Sequence, residues 1–528
     1  MTARSLQRFA AVVLLGLLGM RLIIWFSQTS GTGRQRPDSP APGPSAGTIR
    51  HRLDRSINGL HEQMPEMSAY HTLSSAQKRV LIILAVVVVV GLVLQPLATG
   101  VALCAIATAI YVLVLGYRAD LFVRSLRQAP EVDVSDDEAR GIPDDQLPVY
   151  TVLVAAYQEP EVIGHTIAAI NRLEYPRDKL DVKLLLEEDD PETIDAARAA
   201  EPGPHIKIVP VPFALPRTKP KALNYGLQLA RGEIVTVFDA EDQPDRLQLR
   251  KAVAAFRRLP AYVACLQANL SYYNSQQNMV TRWFTSEYHT WFRLVLPILV
   301  ARGVPVPLGG TSMHIKRSVL VEVGAWDPHN VTEDADLGIR LHRLGYRTDV
   351  LNSTTYEEAN SDVINWVKQR SRWYKGYIET WLVHMRHPVK LFRELGAHGF
   401  FSFNVIVGGT PLVAFINPLF WLLAILWFLA KFDFIQALFP GWVYYPAMIC
   451  LVFGNFMVLY QALVGLQLAK RPDLLRSVLL LPVYWALMAI AALRAFLQLV
   501  NAPSFWEKTM HGLVPQRADE GVDGHGAD

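Results

Sequence analysis

Uncharged apolar text occurs in two blocks, one on each side of a long stretch in which short apolar runs alternate with polar, helix-length segments. Residues 80–94 (VLIILAVVVVVGLVL) and 97–116 (LATGVALCAIATAIYVLVLG) flank Gln95-Pro96, and each approaches the ~20 residues a helix needs to cross a hydrocarbon core. They predict a transmembrane hairpin rather than a pair of buried core helices, because they are adjacent and almost free of charge. After about residue 398 long apolar text returns at 400–432, 442–468 and 474–500, predicting further spans. The first is longer than an untilted crossing requires and carries Pro411 and Asn417-Pro418, so one helix that starts at the interface and a tight helical pair are both open.

Between the blocks, the runs VYTVLVAAY, VKLLLEED, IKIVPVPF and EIVTVFDAED alternate with segments such as Glu161 to Arg172 and Thr218 to Ala230. Strand then helix, repeated, predicts a mainly parallel sheet covered on both faces, and such sheets bind ligands at the carboxyl ends of their strands. Acidic residues fall there, in Glu187-Glu188-Asp189-Asp190 and Asp239-Ala240-Glu241-Asp242. The expected plan is an N-terminal apolar segment and a disordered Pro/Gly/Ser-rich linker over 1–78, the hairpin over 79–116, and an acidic linker over 117–148. An α/β domain with interface helices follows over 149–398, then membrane helices over 399–502 and a short loop with a disordered tail over 503–528.

The N-terminal run 9–26 follows Arg4 and Arg8 and resembles a signal or anchor, but Arg21 interrupts it and no cleavage site stands out. With the α/β domain in the cytoplasm, the hairpin leaves Arg34, Arg36, Arg50, Arg52 and Arg55 there too, in keeping with the positive-inside bias. A spanning 9–26 segment would push Arg4 and Arg8 outside, so its spanning stays open.

Composition removes several classes. Charged residues are 19% of the 528-residue chain and the net charge is +3, without the clustered basic face of a nucleic-acid binder. Cys104, Cys265 and Cys450 lie far apart without CxxC spacing, so neither a disulfide framework nor a zinc site is indicated. A transporter would want charges within its spans, where Arg494 is nearly alone.

The acidic turn at Asp239 to Asp242 ends a strand and could hold a divalent cation through oxygen ligands, although acidic turns after strands are commonly just solvated. Thr332-Glu333-Asp334 precedes an amphipathic helical stretch, where a carboxylate serves as a cap or a base. In Gln369-Arg370-Ser371-Arg372-Trp373, spacing of three and four residues puts Gln369, Arg372 and Trp373 on one helical face.

In their order, and between membrane blocks, these motifs resemble the processive family 2 glycosyltransferases, the group of cellulose synthase, hyaluronan synthase and poly-N-acetylglucosamine synthase, over about residues 79–512. The resemblance implies an α/β GT-A type nucleotide-sugar-binding domain inserted between transmembrane helices. It implies that Tyr157 and Glu159 contact uridine and that Glu188 or Asp189 meets the base, in an EEDD run where the family has Asp-Asp-Gly. Lys219 and Asn224, in a segment similar to Lys-Ala-Gly-Asn-Leu-Asn, and Asp239 with Ala240 would complete the donor site. Mg²⁺ or Mn²⁺ would sit on Asp239 and Glu241, with Asp242 a rival ligand. Asp334 corresponds to the general base. Gly310, Thr311, Glu333, Gln369, Arg372 and Trp373 correspond to the acceptor site, and Trp506, Lys508 and Thr509 to a gating loop. That gating loop requires an even number of C-terminal crossings, whereas three simple spans and the basic Lys470-Arg471 loop favour an odd one.

The resemblance thus implies a hexosyltransferase of the cell's inner, cytoplasmic membrane, its catalytic domain in the cytoplasm. It would move sugar from a UDP-sugar to a growing β-linked polysaccharide, working with the lipid bilayer and accessory export or envelope proteins and with no nucleic acid. Two rivals remain: single transfer to a lipid acceptor, and a catalytically silent export or scaffold subunit, whose expected mark is loss of the motifs.

Overall fold

The computed structural model describes residues 44–127 and 131–501. The run 9–26 and the loop residues Trp506, Lys508 and Thr509 lie outside the described residues.

The hairpin is formed by the helices Ser75–Leu94 and Pro96–Ser125. A reciprocal cap starts the first: the Ser74 hydroxyl accepts from the Gln77 amide at 3.2 Å, and the Gln77 side chain accepts from the Ser74 amide at 2.9 Å. Pro96 ends it, since proline supplies no N–H to the ladder, and opens the second helix at a position where that N–H is not needed.

Parts of the two expected linkers are folded. Within the supposedly disordered 1–78, Pro44–Gln63 is a helix, here called the collar, followed by a one-turn helix Pro65–Met67. Its polar text hides an inner face: Ser56 and Leu60 are buried against the α/β domain, as are Met67 and Ala69 beyond the collar. The acidic segment 117–148 is likewise not a free connection. The second hairpin helix runs on to Ser125, Glu131 pairs with Arg293 at 2.9 Å, and Val132 forms a parallel bridge to Leu351.

The α/β domain holds one eight-stranded sheet of order β3-β2-β1-β4-β7-β6-β8-β5. Its strands are β1 (Tyr150–Ala156), β2 (Leu180–Glu187), β3 (Ile206–Val211), β4 (Ile234–Phe238), β5 (Gln243–Pro244), β6 (Val263–Tyr272), β7 (Met313–Lys316) and β8 (Arg347–Glu357). The first four pair in parallel, β7 runs antiparallel between β4 and β6, and β8 lies parallel to β6. Continuous burial of β2 and β4 explains their unbroken apolar runs: helices cover both faces, so no alternation is needed. The carboxyl ends of β1, β2 and β4 point one way, and their loops line the site.

Five helices among the described residues are long and apolar enough to cross a membrane: Ser75–Leu94, Pro96–Ser125, Pro388–Ala430, Gly441–Leu468 and Pro472–Leu499. Up to Ala430 the 400–432 run lies in one helix of crossing length and does not form a pair. The chain breaks at Gly396, whose φ of 67° only glycine adopts without strain, and then continues as helix to Ala430. Three of these helices follow the α/β domain among the described residues, an odd number.

Candidate active site

A single cavity of about 780 Å³ lies over the carboxyl ends of the strands and runs on between the membrane helices. Its floor is the turn after β4. Asp239 and Glu241 face the cavity, whereas Asp242 points into the protein, only 2% exposed. Asp242 accepts the Asp239 amide at 2.7 Å and the Thr311 hydroxyl, so it shapes the turn instead of rivalling its neighbours as a ligand. Lys219 pairs with Asp239 and donates to the Gly310 carbonyl at 3.2 Å. Burial alone would lower the Lys219 pKa, but the charges of Asp239, Glu333 and Asp334 outweigh it and hold the ammonium above its ordinary value.

The loops after β1 and β2 make the donor-side wall. Tyr157 and Glu159 line the cavity; Glu188 and Asp189 do not. Glu188 is turned onto the Phe213 amide at 2.8 Å, and Asp189 reaches the wall only through Arg217. Arg217 was not singled out in the sequence, yet its guanidinium lies 4.8 Å from the ring centres of both Tyr157 and Phe213 and donates to the Tyr157 hydroxyl. Glu187 is neutralised by the buried Lys221 at 2.8 Å. Asn224 is a correction: it is absent from the lining, and its amide donates to Ser56 O at 3.0 Å and Trp326 O at 2.8 Å while accepting the Trp326 amide. It fastens the collar to the domain and does not touch the donor side.

Opposite stands Asp334, in the first turn of the helix Glu333–Arg343. Its Oδ1 accepts the Ala335 amide at 2.8 Å, and Oδ2 faces Gly310. Burial raises the pKa of Asp334, and raises that of Glu333 to about 8 with the Asp334 charge as the next cause. Both carboxylates, with Gly310 and Thr311, line the cavity.

The third wall is the helix Val363–His384, which brings Gln369, Arg372 and Trp373 to the same cavity. It lies close to the Asp334 loop because position 376 is glycine: a Cβ there would come within 2.4 Å of Thr332. Trp373 is set by its neighbours, with Arg370 4.6 Å above its ring and Phe284 and Tyr288 beside it. Arg370 is held in turn by Glu287 at 2.9 Å and 2.5 Å, and Glu287 accepts the Tyr484 hydroxyl at 2.6 Å. Burial lowers the Arg372 pKa, opposed by the charges of Glu333, Asp239, Asp334 and Glu241, which places this cation over the acidic floor.

A further carboxylate, Glu357, closes the floor at the end of β8. The acidic end of that strand was its signal, the same one that marked Glu187 and Asp239. Burial first, then Asp242, Asp239 and Glu241, push its pKa well above the ordinary range, and its Oε1 is buried without a hydrogen-bond partner among the described residues. Asp242 is raised in the same manner and also has an orphaned buried oxygen. The floor therefore carries more carboxylate than Lys219 balances, and its hard oxygen donors suit a divalent cation. No three carboxylates among the described residues close on one point, so such a cation would need oxygens from a ligand as well.

Beyond Trp373 the cavity passes between the apolar helices, with Val114, Val413, Trp421, Trp485 and Met488 on its walls and Arg118, Asn417, Asn455 and Gln461 among its polar groups.

The chain is similar to several known proteins. Residues 148–376 match the family model described as "Glycosyltransferase like family 2". The β-monoglucosyldiacylglycerol synthase of Synechocystis sp. is 29% identical over 261 residues, 48% of this chain and 53% of that one. Glucomannan 4-beta-mannosyltransferase 2 of Arabidopsis thaliana is 26% identical over 273 residues, 50% and 48% of the two chains. The chain thus spans about half the length of these relatives. Among solved structures, a mannosyltransferase from Pyrobaculum calidifontis, in complex with GDP-Man and Mn²⁺, is similar at 21% identity and TM-score 0.48, covering 72% of this chain and 99% of that one. The segment between the two blocks of apolar helices thus matches the family 2 glycosyltransferase model over residues 148–376 and has a GT-A-like fold, a mixed sheet covered by helices.

Proposed function

We propose that the protein is a membrane-embedded inverting glycosyltransferase that moves a hexosyl group from a UDP-sugar to the hydroxyl of an acceptor in the membrane-side cavity. The observation that carries this reading is the meeting of Asp239, Lys219, Asp334 and Arg372 around one space that continues between the membrane helices. Tyr157 and Glu159 hold the nucleoside end. Asp239 and Glu241 would hold a divalent cation, which supplies positive charge to the donor's diphosphate. Lys219 adds a fixed positive charge at the same place, and Arg372 meets the charge that develops as the diphosphate leaves. Asp334 takes the proton from the acceptor hydroxyl; the oxygen bonds to the anomeric carbon as the bond to the diphosphate breaks on the opposite face. An α-linked donor therefore gives a β-linked product.

Trp373 offers its face to a terminal sugar and Gln369 a hydrogen-bonding amide, which supports extension of a β-linked polysaccharide into the membrane-side cavity. A second reading, single transfer to a lipid, is favoured by the apolar side chains around Trp421 and Met488. The domain's side is taken as the cytoplasm because Arg50, Arg52 and Arg55 flank the hairpin on that side. Accessory export or envelope proteins would be partners of the polymerising form.

Asp334→Asn tests the mechanism: transfer from donor to acceptor falls roughly 100-fold or more while donor binding persists. Near wild-type transfer by this variant sinks the reading. Products from labelled donor, resolved by size, separate a polymer ladder from a single lipid adduct.

A further inference from the structure

The segment between the collar and the membrane hairpin does not hang free. Met67, Ser68, Ala69 and Leu73 are buried, and the Arg386 guanidinium donates to Pro65 O at 3.0 Å, to Ser68 O at 2.9 Å and to His71 O. At its centre the Ala69 amide donates to Asp327 Oδ2 at 2.5 Å and the Ser68 hydroxyl to Asp327 Oδ1 at 3.4 Å. Asp327 is fully buried. Beyond these two donors it accepts the His329 amide at 3.0 Å. Most of what satisfies this carboxylate thus comes from outside the glycosyltransferase domain.

Asp327 opens the loop that ends at Asp334. The next residues are gripped in turn: Pro328 O accepts the Thr218 hydroxyl at 3.2 Å, Asn330 donates to Thr380 at 2.9 Å, and the Val331 amide donates to Glu379 at 3.4 Å. Thr218 adjoins Lys219 on the donor side, while Thr380 and Glu379 belong to the helix that carries Trp373. The loop is therefore fixed from three directions: donor side, acceptor side, and the segment leading into the membrane.

We propose that residues 64–74 act as a strap whose grip on Asp327 sets the position of Asp334, making Ser68, Ala69 and Asp327 positioning residues for the transfer step. A buried carboxylate deprived of two of its donors must find others, and the loop moves to supply them. A shift of about 1 Å at a catalytic group costs on the order of 100-fold in rate. Because the strap runs straight into the first membrane helix through Ser74 and Gln77, whose side chain also donates to Leu382 O at 2.7 Å, the attitude of the hairpin reaches the reaction centre along it. This rests on Asp334 being the base.

The test uses the full chain in detergent or membranes. Ala69→Pro deletes the amide that Asp327 accepts, and Ser68, at φ −97° and ψ 140°, already has the extended backbone that a following proline demands. Expected are a turnover roughly tenfold or more below wild type and a donor dissociation constant within about twofold of it. Asp327→Asn, which keeps size and one acceptor oxygen, should show the same split to a smaller degree, and it serves alone where the proline variant does not fold. Unchanged turnover in either variant overturns the proposal, as does a parallel loss of turnover and donor affinity, the mark of general support. Asp334→Asn, run alongside, separates the two ideas. If it keeps wild-type turnover the base assignment has failed; if it is inactive while the strap variants are not, only the strap has failed.

Discussion

Gly310 and Asp334 meet so closely that no side chain fits between them: a Cβ at position 310 would lie 2.8 Å from Asp334 Oδ2. The φ of 87° at Gly310 is left-handed as well, and its carbonyl receives Lys219. One residue thus sets the spacing between the donor-side cation and the proposed base.

Gly310→Ala should therefore cost about 1–2 kcal/mol in strain alone and displace Asp334. Steady-state kinetics should show turnover reduced roughly tenfold or more, with the thermal midpoint lowered modestly. Wild-type turnover in this variant would mean that Asp334 need not stand where it does.

The buried acids should make stability fall as pH rises. Glu333 has a folded pKa of about 8, above its unfolded value near 4.3. The folded state binds its proton more tightly, so the stabilisation is complete below the unfolded value and is lost as pH rises through the folded one. Without donor and divalent cation, the midpoint of thermal unfolding should fall between about pH 5 and about pH 8. Glu333→Gln, permanently neutral, should flatten that slope; a slope unchanged by the substitution would assign it to other groups.

Asn224 separates two roles cleanly. Removing its amide leaves the Ser56 and Trp326 backbone groups unsatisfied, at about 1–3 kcal/mol. Asn224→Ala should thus lower the melting temperature and expose the collar to protease, with the donor KM within about twofold of wild type. A large rise in donor KM at unchanged stability would restore the donor-site role.

Arg370 joins three helices through Glu287 and Tyr484. Arg370→Ala removes the cation beside Glu287 and leaves that carboxylate the Tyr484 hydroxyl, costing about 3 kcal/mol. Arg370→Lys should recover little, since an ammonium does not make the two parallel bonds. Denaturant titration of both variants in detergent checks this, and full recovery by lysine would show that charge alone suffices.

Much of the site was legible before the structure, for physical reasons. Asp239 follows an apolar run at a strand's carboxyl end, where topology sends ligands, and it faces the cavity with Asp334. Gln369, Arg372 and Trp373 could be grouped because helical spacing is periodic. What escaped was direction and long range. Asp242 adjoins Glu241, yet Thr311, 69 residues away, turns it inward. The helix Lys219–Leu227 is buried throughout from Pro220 to Leu227, so no polar face indicated which way Asn224 points. Residues 44–74 are polar and rich in turn formers, and their partners, Asn224 and Asp327, lie 168 and 258 positions away. Local pattern carries no trace of such pairs.

The length of that last separation bears on how the molecule is made. At about 5–20 residues per second, a ribosome takes roughly 13–50 seconds to travel the 258 positions from Ala69 to Asp327. The two apolar helices leave the exit tunnel early in that interval, so lipid receives them while the sheet is still being synthesised. The α/β domain then closes against a segment of chain made long before it, and the grip on Ala69 is completed only once Asp327 has emerged. On this timing the hairpin would be in place before the domain folds onto it.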